Sequence, residues 1–522
     1  MASANLIPFA NELPLNGADP DVRRGFAEAV ARAEARFPEA LPLVVGGERL
    51  TTAQSGRSLN PCAPEQVVAT FAQAGEGEVQ RALAAADAAF ATWRWVPWKE
   101  RAAVLLRAAE ILRRRRADFD ALLCLEAGKT FAEAEAEFAE AVDFCDFYAR
   151  EALRWGGPQP LTPLRGEYNE LHYLPLGPGV VIPPWNFPLA ILGGMTVAAI
   201  VCGNTVVLKP SSDTVRIGWA FFEALEEAGV PPGVVNFVPG PGAVAGEAAA
   251  RHAATRFVSF TGSKAVGLRL VEVAAQTVPG QRAIKRVVAE MGGKDFIVVD
   301  ESADVEAASA AIVASAFGYQ GQKCSACSRA IVHARVYDEV VERVAAGARA
   351  LKVGPARDAD TAVAAVINEG ALKSILGYVE VGRGEGRVVA GGKRAAAAGS
   401  GYFIEPTVVA DVSPRARLAC EEVFGPVLAM LKAESFERAV ELANDTEYGL
   451  TGSSFARDRA RVARAKRLLH CGNLYVNRKC TGALVGVHPF GGFNMSGTDS
   501  KAGGRDYLGL FTQAKLVSEK LG

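Results

Sequence analysis

The chain carries one cysteine and one glutamate whose types and surroundings suit covalent catalysis. Cys324 lies in the polar sequence Gly-Gln-Lys-Cys-Ser at 321–325, after an alanine-rich apolar run, and Glu290 lies upstream in Glu-Met-Gly-Gly-Lys at 290–294. A cysteine attacks carbon as its thiolate. A carboxylate can then activate the water that hydrolyses the captured group. The pair therefore predicts covalent capture followed by hydrolysis, a scheme that a thiol hydrolase would share.

A second cysteine opens other interpretations of this segment. Cys324 and Cys327 form Cys-Ser-Ala-Cys, which could be a redox pair or half of a zinc site. A zinc site would need a second Cys-x-x-Cys or a nearby Cys-x-x-His, and the sequence has neither. We interpret Cys327 as a packing residue and predict no metal. Cys324, taken alone, could be a buried structural thiol.

Asn186 is a candidate donor to an oxyanion. It lies in Pro-Pro-Trp-Asn-Phe-Pro at 183–188, directly after a predicted strand. Proline fixes φ and ends the strand sharply, which would hold the Asn186 amide rigidly at the edge of a sheet. Such an amide could stabilise an oxyanion. By itself, however, the residue is more simply interpreted as an asparagine that caps a loop.

Two glycine-containing segments are candidates for binding a pyrophosphate. Phe-Thr-Gly-Ser-Lys at 260–264 closes a predicted strand and opens a predicted helix, so backbone N–H groups and the helix dipole face the carboxyl edge of the sheet. The other candidate, Gly240-Pro241-Gly242 with Gly246, lacks the spacing and the first-strand position of the usual dinucleotide fingerprint. We interpret it as a turn.

The segments around these motifs alternate between short β-branched runs and helical periodicity. This alternation indicates a parallel sheet covered by helices on both faces, an architecture typical of nucleotide binding. The predicted strands are 180–182, 205–208, 234–238, 256–260 and 284–289, and the predicted helices are 189–200, 214–228, 243–251 and 264–276.

The rest of the chain divides into a helical start and a second alternating block. Residues 20–150 show helical periodicity, and the block 297–456 reads as a second α/β domain. The Pro/Gly-rich segment 156–163 and the chain after Lys501 belong to neither block, so they are either arms that pair with another subunit or surface hairpins. The clearest further elements are helices at 79–95, 100–124 and 338–352 and strands at 331–333 and 388–389.

Composition limits the remaining classes of function. The chain has 522 residues, half of them apolar, which is enough for two or three domains. A formal net charge of −1 argues against nucleic acid and anionic membranes as partners, and the arginine run 113–116 is interpreted as a solvated helix face.

Nine scattered cysteines favour a reducing compartment. Because the first 30 residues lack a targeting pattern and no apolar run could span a membrane, we expect a cytoplasmic protein.

Six motifs follow one another along the chain. They are Trp185-Asn186-Phe187-Pro188, Leu208-Lys209-Pro210, Phe260-Thr261-Gly262-Ser263, Glu290-Met291-Gly292-Gly293-Lys294, Gly321-Gln322-Lys323-Cys324 and Glu421-Glu422-Val423-Phe424-Gly425-Pro426. Together and in this order they resemble the motifs of the aldehyde dehydrogenase superfamily.

The resemblance implies a Rossmann-like NAD-binding domain, a second α/β catalytic domain and a small oligomerisation arm, with NAD as cofactor and a homodimer or an assembly of dimers. The implied domains are 1–155 with 176–292 for NAD binding, 293–490 for catalysis, and 156–175 with 491–522 for the arm and the C-terminal segment.

Two further segments narrow the resemblance to one branch of that superfamily. They are 318–326 and 477–486, the second followed by Pro489-Phe490-Gly491-Gly492-Phe493 and Ser496-Gly497-Thr498. The branch that they resemble most oxidises L-glutamate γ-semialdehyde, the open-chain form of 1-pyrroline-5-carboxylate, to L-glutamate in proline catabolism. The alternatives are a dehydrogenase for another ω-semialdehyde and a non-catalytic structural relative, although the intact Cys324, Glu290 and Asn186 argue against the latter.

The resemblance assigns a role to each matching residue. Cys324 is expected to attack the aldehyde carbon, while Asn186 and the Cys324 N–H hold the oxyanion and Glu290 activates the hydrolytic water. The expected substrate contacts are Ser325, Gly482 and Ala483 at the α-carboxylate, Phe187 and Phe490 beside the aldehyde chain, and Glu140, on a predicted helix at 138–148, at the amino group; for Glu140 a surface glutamate is the alternative. The expected cofactor contacts are Ile182, Pro184, Trp185, Lys209, Ser212, Gly262, Ser263, Gly292, Glu422 and Phe424.

Two positions depart from the family pattern. Three residues after Lys209, where many NAD-preferring relatives have a glutamate for the adenosine 2′-OH, this chain has Ser212. Because the missing carboxylate removes a repulsion against a 2′-phosphate, we expect NADP to be tolerated alongside NAD. Close relatives have glutamine where this chain has His488, directly before Pro489. We expect His488 to be a neutral hydrogen-bonding substitute rather than a catalytic base.

Overall fold

A computed structural model describes residues 8–396 and 399–521. Residues 1–7 of the predicted NAD-binding domain, 397–398 of the predicted catalytic domain and 522 of the C-terminal segment lie outside the described residues. The helices are α1 Pro20–Glu34, α2 Glu76–Trp93, α3 Trp98–Arg114, α4 Arg116–Ala127, α5 Phe131–Trp155, α6 Ala190–Val201, α7 Val215–Glu227, α8 Glu247–Arg251, α9 Lys264–Ala275, α10 Val305–Phe317, α11 Tyr337–Ala350, α12 Glu369–Glu385, α13 Arg417–Cys420, α14 Phe436–Asn444 and α15 Arg459–Leu468.

The strands lie in two large sheets and three small ones. They are β1 Glu39–Leu41, β2 Leu43–Val45, β3 Glu48–Leu50, β4 Ser55–Asn60, β5 Ala63–Ala72, β6 Glu167–Pro175, β7 Pro178–Ile182, β8 Thr205–Leu208, β9 Val235–Phe237, β10 Phe257–Thr261, β11 Arg286–Glu290, β12 Asp295–Val299, β13 Cys327–His333, β14 Arg387–Ala390, β15 Thr407–Ala410, β16 Val427–Ala433, β17 Tyr448–Gly449, β18 Thr451–Phe455, β19 Asn473–Val476, β20 Phe493–Asn494 and β21 Thr512–Lys520.

The first large sheet has the strand order β11-β10-β7-β8-β9-β2-β3. Strands β7 to β11 pair in parallel, and β2 joins β9 antiparallel. All five strands predicted in this block are present, with bounds within two residues of the prediction. Chain order reverses between β7 and β10, and parallel sheets of this kind bind ligands in the crevice at the carboxyl ends of such strands. The predicted cofactor residues after β7, β8 and β10 therefore share one edge.

The glycine segment after β9 is irregular at Gly240 and Pro241, and the helix predicted at 243–251 is present, but Gly242 and Gly246 lie in its first turn rather than in a separate turn. Residues Gly242–Gly246 form one π-helical turn that leads directly into α8. The backbone passes close to its neighbours there, because a Cβ at Gly240 would lie 2.9 Å from the carbonyl oxygen of Ala74. A Cβ at Gly246 would make ordinary contact with Lys209, 3.7 Å from its Cδ. The segment thus packs over the predicted cofactor lysine.

The four-arginine run spans the junction between α3 and α4 rather than one exposed helix face. Arg114 is exposed and pairs with Glu227 at 2.6 Å, as a solvated arginine would. Arg113 and Arg116, in contrast, are partly buried, and they bind the two carboxylate oxygens of Glu12 at 2.9 and 3.1 Å. The prediction was wrong for these two residues because their partner lies about a hundred residues away, in the N-terminal segment.

The second large sheet has the order β14-β15-β16-β13-β12-β18-β19, parallel except for the antiparallel pair of β14 and β15. Apolar side chains cover both of its faces in two separate clusters, which explains the β-branched runs in the sequence. The nucleophile segment lies directly before the central strand β13. Both predicted strands of this block, at 331–333 and 388–389, lie within observed strands.

The predicted arm forms a two-stranded antiparallel ribbon outside both large sheets. Strand β6 pairs with β21 from Glu167 opposite Lys520 to Pro175 opposite Thr512. The Pro/Gly-rich segment 156–163 itself has no regular structure. Among the described residues, no helix is both long enough and apolar enough to cross a membrane. The division of the chain into domains stays a prediction.

Candidate active site

The loop before Cys324 has an unusual backbone that is fixed by distant contacts. Residues 319–321 all have positive φ, of 51°, 55° and 66°. A Cβ at Gly321 would lie 2.3 Å from the carbonyl oxygen of Gly425, so only glycine fits there. The Tyr319 hydroxyl donates to the Ala127 carbonyl at 2.9 Å, and the Gln320 side-chain amide donates to the Gly128 carbonyl at 3.1 Å. Positive φ in non-glycine residues is costly and persists where the surroundings enforce it. The strained loop therefore holds the cysteine in one position.

Cys324 opens into a cavity of about 400 Å³ that contains all the predicted substrate residues. Glu290 lines the same cavity, so the structure brings together the two side chains that the sequence paired. The cavity is lined in addition by Phe187, Phe490, Ser325, Gly482, Ala483 and Glu140. A volume of this size suits a small molecule rather than a polymer.

Asn186 is buried beside the nucleophile segment. Its Nδ2 atom donates to the backbone carbonyl of Gln322 at 3.0 Å, two residues before Cys324. The Gln322 side chain in turn accepts from the N–H of Ile367 at 2.9 Å, which fixes this stretch of backbone. An asparagine amide has two N–H donors. The contact with Gln322 uses one of them. Asn186 is not among the residues that line the Cys324 cavity, so its contact with an oxyanion stays a prediction.

Glu290, at the end of β11, accepts three hydrogen bonds. The Ser500 hydroxyl donates to it at 2.7 Å, the Ser500 N–H at 3.2 Å and the Gly492 N–H at 3.1 Å. Burial raises the pKa of this carboxyl to about 7, against the lowering effect of these donors and of nearby Lys501. A carboxylate with a pKa near neutrality is a suitable general base. The sequence did not point to Ser500, because nothing in a lone serine indicates a partner 210 residues earlier in the chain.

The Cys324 thiol is not activated in advance. Burial raises its pKa well above the ordinary value, and the carboxyls of Asp295, Glu422 and Glu290 raise it further. The Ser325 N–H, which faces the sulfur, acts in the opposite direction. The thiol is therefore neutral in the free enzyme.

The loop 481–485 presents unpaired backbone donors to the cavity. The Arg478 guanidinium binds the carbonyl oxygens of Thr481 and Gly482 at 2.9 and 3.0 Å, so these carbonyls point away. Gly482 has a φ of 80°, which favours glycine. Within the described residues, the N–H groups of Gly482 and Ala483 and the Ser325 hydroxyl donate to no protein acceptor. We call residues 481–485 the anchor loop.

His488 supports the anchor loop as a neutral imidazole. Its Nδ1 atom accepts from the N–H of Leu484 at 3.2 Å, which requires an unprotonated nitrogen. Burial and the adjacent Arg478 lower its pKa. The ring also meets Tyr475 edge-to-face, with centroids 5.8 Å apart. This geometry agrees with the predicted hydrogen-bonding role.

The cavity wall contains a buried ion pair that the sequence did not reveal. Lys129 Nζ lies 2.9 Å from Glu137, and both side chains are buried. The ammonium also lies 4.0 Å from the Phe187 ring centroid and 3.8 Å from that of Tyr319. Glu137 accepts the first two N–H groups near the start of α6, at 2.8 and 3.1 Å. The pair fixes Phe187 against the nucleophile loop; removal of one partner from such a pair costs about 3–5 kcal/mol.

Glu140 lies one turn after Glu137 on α5 and faces the cavity. Burial raises its pKa to about 8, and the neighbouring Glu137 raises it further while Lys129 lowers it. In the absence of a cationic partner, this carboxyl is largely neutral near pH 7. An ammonium group in the cavity would favour its ionised form.

The predicted cofactor residues gather at the crevice of the first sheet. Trp185 and Phe424 meet edge-to-face with centroids 5.4 Å apart, although they are far apart in sequence. Glu422 accepts from the N–H of Gly293 at 3.0 Å. A Cβ at Gly292 would lie 2.1 Å from Glu422 Oε2, so glycine is required for this carboxylate to take its place.

Two groups at this crevice suit a dinucleotide. Lys209 is buried, its Nζ uses two of three donors on the carbonyls of Pro210 and Gly240, both at 3.1 Å, and burial lowers its pKa to about 8. Ser263 is the N-cap of α9, but its side chain makes no capping hydrogen bond. A lysine donor for a ribose and a free hydroxyl at a helix N-terminus for a pyrophosphate fit the predicted cofactor.

The remaining predicted cofactor residues complete this edge. Ile182 ends β7, Pro184 follows it, and Ser212 begins a 3₁₀ turn after β8. The N–H of Gly262 donates to the Glu290 carbonyl at 3.1 Å, so it is already used within the protein. The ten residues lie outside the wall of the Cys324 cavity, which borders them through Thr261 and Met291.

A doubly wound sheet with a dinucleotide-type crevice, next to a cavity that holds a cysteine and a basic glutamate, defines an aldehyde-oxidising enzyme. Residues 50–517 match the aldehyde dehydrogenase family, and the chain belongs to this family. It is 52% identical over 497 residues to the 1-pyrroline-5-carboxylate dehydrogenase of a Geobacillus species, covering 95% of this chain and 96% of that relative. It is 50% identical over 512 residues to the enzyme of that name from Bacillus pumilus, covering 98% and 99%.

Solved structures agree with these relatives. The structure of 1-pyrroline-5-carboxylate dehydrogenase from Thermus with bound NAD matches with a TM-score of 0.97 at 48% identity, covering 99% of this chain and 100% of that one. Proline utilization A from Bdellovibrio bacteriovorus matches with a TM-score of 0.96 at 40% identity. That match covers 98% of this chain but 53% of the other, so the chain corresponds to about half of that protein.

Proposed function

We propose that the protein oxidises L-glutamate γ-semialdehyde, the hydrolysed form of 1-pyrroline-5-carboxylate, to L-glutamate with NAD. The observation that supports this best is the set of donors left unpaired in the cavity. The N–H groups of Gly482 and Ala483 and the hydroxyl of Ser325 lie in the same cavity as Cys324. Unpaired donors of this kind suit a carboxylate, which accepts several hydrogen bonds. An aldehyde that carries a carboxylate could place its carbonyl carbon at Cys324 and its carboxylate at these donors.

The proposed mechanism uses Cys324 as the nucleophile. The Cys324 thiol gives up its proton to water, and its sulfur adds to the aldehyde carbon. The second amide N–H of Asn186, together with the Cys324 N–H, stabilises the oxyanion of the thiohemiacetal. Bound NAD supplies the hydride acceptor. The resulting thioester is hydrolysed by water from which Glu290 removes a proton. Phe187 and Phe490 exclude bulk water from the chain of the substrate.

Glu140 is proposed to bind the α-ammonium group. It lies in the cavity wall, and burial and Glu137 raise its pKa to about 8 although Lys129 and Lys323 lower it, so its charge is only partly compensated. An ammonium group supplies that compensation. Substrates that lack the amino group should therefore bind less tightly, which would distinguish glutamate semialdehyde from succinate semialdehyde.

A comparison of aldehydes tests the proposed function. We expect kcat/KM for L-glutamate γ-semialdehyde to exceed that for succinate semialdehyde by about 10²-fold, and that for pentanal by more, because each lost charge-assisted hydrogen bond costs about 1.5–3 kcal/mol. NADH absorbance is the measurement. Equal values for the three aldehydes, or a preference for succinate semialdehyde, would show that the assignment of substrate is wrong.

We also propose that NADP is accepted alongside NAD. Ser212 carries no charge, and the carboxylate of the next residue, Asp213, accepts from Asn368 at 3.2 Å. We therefore expect kcat/KM with NADP to lie within about 10²-fold of that with NAD, because no carboxylate at 212 repels a 2′-phosphate. Ser212→Glu should lower kcat/KM with NADP at least tenfold, because a charge repulsion of about 1.4 kcal/mol corresponds to a factor of ten. It should leave kcat/KM with NAD nearly unchanged. A value for NADP several orders below that for NAD in the unaltered enzyme would refute this proposal.

Cytoplasmic location and dimerisation are further parts of the proposal. All nine cysteines are free thiols, which suits a reducing compartment. The ribbon of β6 and β21 leaves large apolar side chains exposed, including Leu516 at 62% and Tyr168 at 55%. An exposed strand edge with apolar side chains is suited to pairing with a second copy of the chain.

A further inference from the structure

An N-terminal strap, residues 9–16, forms part of the wall of the Cys324 cavity. The strap is neither helix nor strand, and Glu12 and Pro14 line the cavity. At its start, Phe9 meets Phe147 of α5 edge-to-face, with ring centroids 5.1 Å apart. The match to the aldehyde dehydrogenase family begins only at residue 50. The strap is therefore a part of the site that the shared features of the family do not include.

Asn11 connects two walls of the cavity. Its Nδ2 atom donates to Asp143 Oδ2 at 2.7 Å and to the carbonyl oxygen of Val485 at 2.9 Å. Asp143 lies on α5, one helical turn after Glu140, and Val485 ends the anchor loop, two residues after Ala483. One amide group thus ties the loop that offers backbone donors to the helix that carries Glu140.

Several contacts hold the strap in place around this amide. The N–H of Glu12 donates to the other oxygen of Asp143 at 2.7 Å. The carboxylate of Glu12 is bound by Arg113 at 2.9 Å and by Arg116 at 3.1 Å. The N–H of Leu15 donates to the buried carboxylate of Glu135 on α5 at 2.7 Å. Because Phe9 and Glu12 are held on either side of it, Asn11 has little freedom to leave its two acceptors.

We propose that Asn11 is a positioning residue for recognition of the substrate carboxylate. By fixing the carbonyl of Val485, it sets the orientation of the loop whose N–H groups, at Gly482 and Ala483, would bind that carboxylate. Arg478 and His488 hold the other side of the loop, at Thr481, Gly482 and Leu484. Asn11 supplies the tether to α5, and so sets the separation between the sites for the carboxylate and the ammonium group. This proposal rests on the function proposed above.

The test compares Asn11→Ala with a matched control in the same strap. Asn16→Ala makes the same substitution at an exposed residue whose side chain accepts only from the nearby N–H of Ala18. For Asn11→Ala we expect KM for L-glutamate γ-semialdehyde to rise about tenfold, the factor for one lost hydrogen bond of about 1.4 kcal/mol, with kcat within about twofold. For pentanal, which has no carboxylate, kcat/KM should change by less than about twofold. Asn16→Ala should match the unaltered enzyme throughout.

A second measurement separates positioning from chemistry. The inhibition constant of L-glutamate, the proposed product, reports the carboxylate contacts without turnover, and it should rise about tenfold in Asn11→Ala alone. Where Asn11→Ala yields no folded enzyme, Asn11→Ser takes its place, since a serine side chain is too short to reach both acceptors. Equal losses for both aldehydes, or no difference between Asn11→Ala and Asn16→Ala, would overturn the positioning role. If the unaltered enzyme does not oxidise the semialdehyde at all, the proposed function fails instead.

Discussion

Replacing Cys324 with alanine should reduce aldehyde-dependent formation of NADH by on the order of 10³-fold or more. The reason is geometric as well as chemical. Cys324 shares its cavity with Glu290, the proposed general base, and with the unpaired donors, and a strained loop fixes its position. Alanine leaves the oxyanion donors in place but provides nothing to attack the carbonyl carbon. Because direct hydride transfer from an aldehyde has no oxyanion to expel the hydride, neither a burst nor a steady rate should appear.

Cys327→Ala is the matched control for this variant. Cys327 is buried at the start of β13, in the apolar cluster of that sheet, and burial raises its pKa well above the ordinary value. We expect this variant to keep its turnover within about fivefold and to lose about 1 kcal/mol of stability through the small cavity that it creates. Measurement of NADH release with thermal unfolding distinguishes the two. Substantial activity in Cys324→Ala, or a loss of activity only in Cys327→Ala, would show that Cys324 is not the nucleophile.

The sequence was most informative where local physical rules decide the structure. Five strands around 180–289 were predicted because parallel strands, buried on both faces, leave uninterrupted β-branched runs. The residues that follow them, such as Asn186 and Ser263, could be placed at the carboxyl edge for the same reason. The Gly240–Gly246 region was only partly predicted: the helix from 243 is present, but its first turn is a π turn, which glycine content does not distinguish from a tight turn. Their difference depends on what the backbone packs against.

Contacts between distant segments could not be read from the sequence. Ser500 holds Glu290, and Glu137 holds Lys129 beneath Phe187, yet neither partner belongs to a motif. Arg113 and Arg116 looked like a solvated pair until the strap supplied Glu12. In each case the partner compensates for the cost of removing a charge from water, and which charges are buried is a property of the folded chain.

Burial also decides the protonation states on which the proposed chemistry depends. Cys324 and Glu290 both lose solvation, so the pKa of each is raised, and the nucleophile and the base are both largely protonated at mildly acidic pH. Glu290 differs because Ser500 and Gly492 donate to its ionised form and keep its pKa near 7. Above pH 7 the carboxylate can therefore accept a proton from water while the thiol is still neutral.

Replacing Glu290 with glutamine should stop the reaction at the thioester. Glutamine keeps the shape of the side chain but cannot accept a proton from water, so the hydrolysis step should slow by about 10²–10⁴-fold while attack by Cys324 and hydride transfer continue. Rapid mixing with L-glutamate γ-semialdehyde and NAD should show a burst of one NADH per active site, followed by a very slow steady rate. In the unaltered enzyme, the steady rate should rise with pH through about 7, since Glu290 is protonated below that value.

The pH profile supplies the control that separates a base from a structural carboxylate. Ser500→Ala removes the 2.7 Å hydrogen bond that favours the ionised form of Glu290, so the pKa of Glu290 should rise and the ascending limb should move to higher pH. In Glu290→Gln this limb should disappear, because the titrating group is gone. The thioester itself should be detectable on Cys324 by mass spectrometry of the acid-quenched protein. A variant with glutamine at 290 that turns over at the normal rate, or an unshifted limb in Ser500→Ala, would mean that another group activates the water.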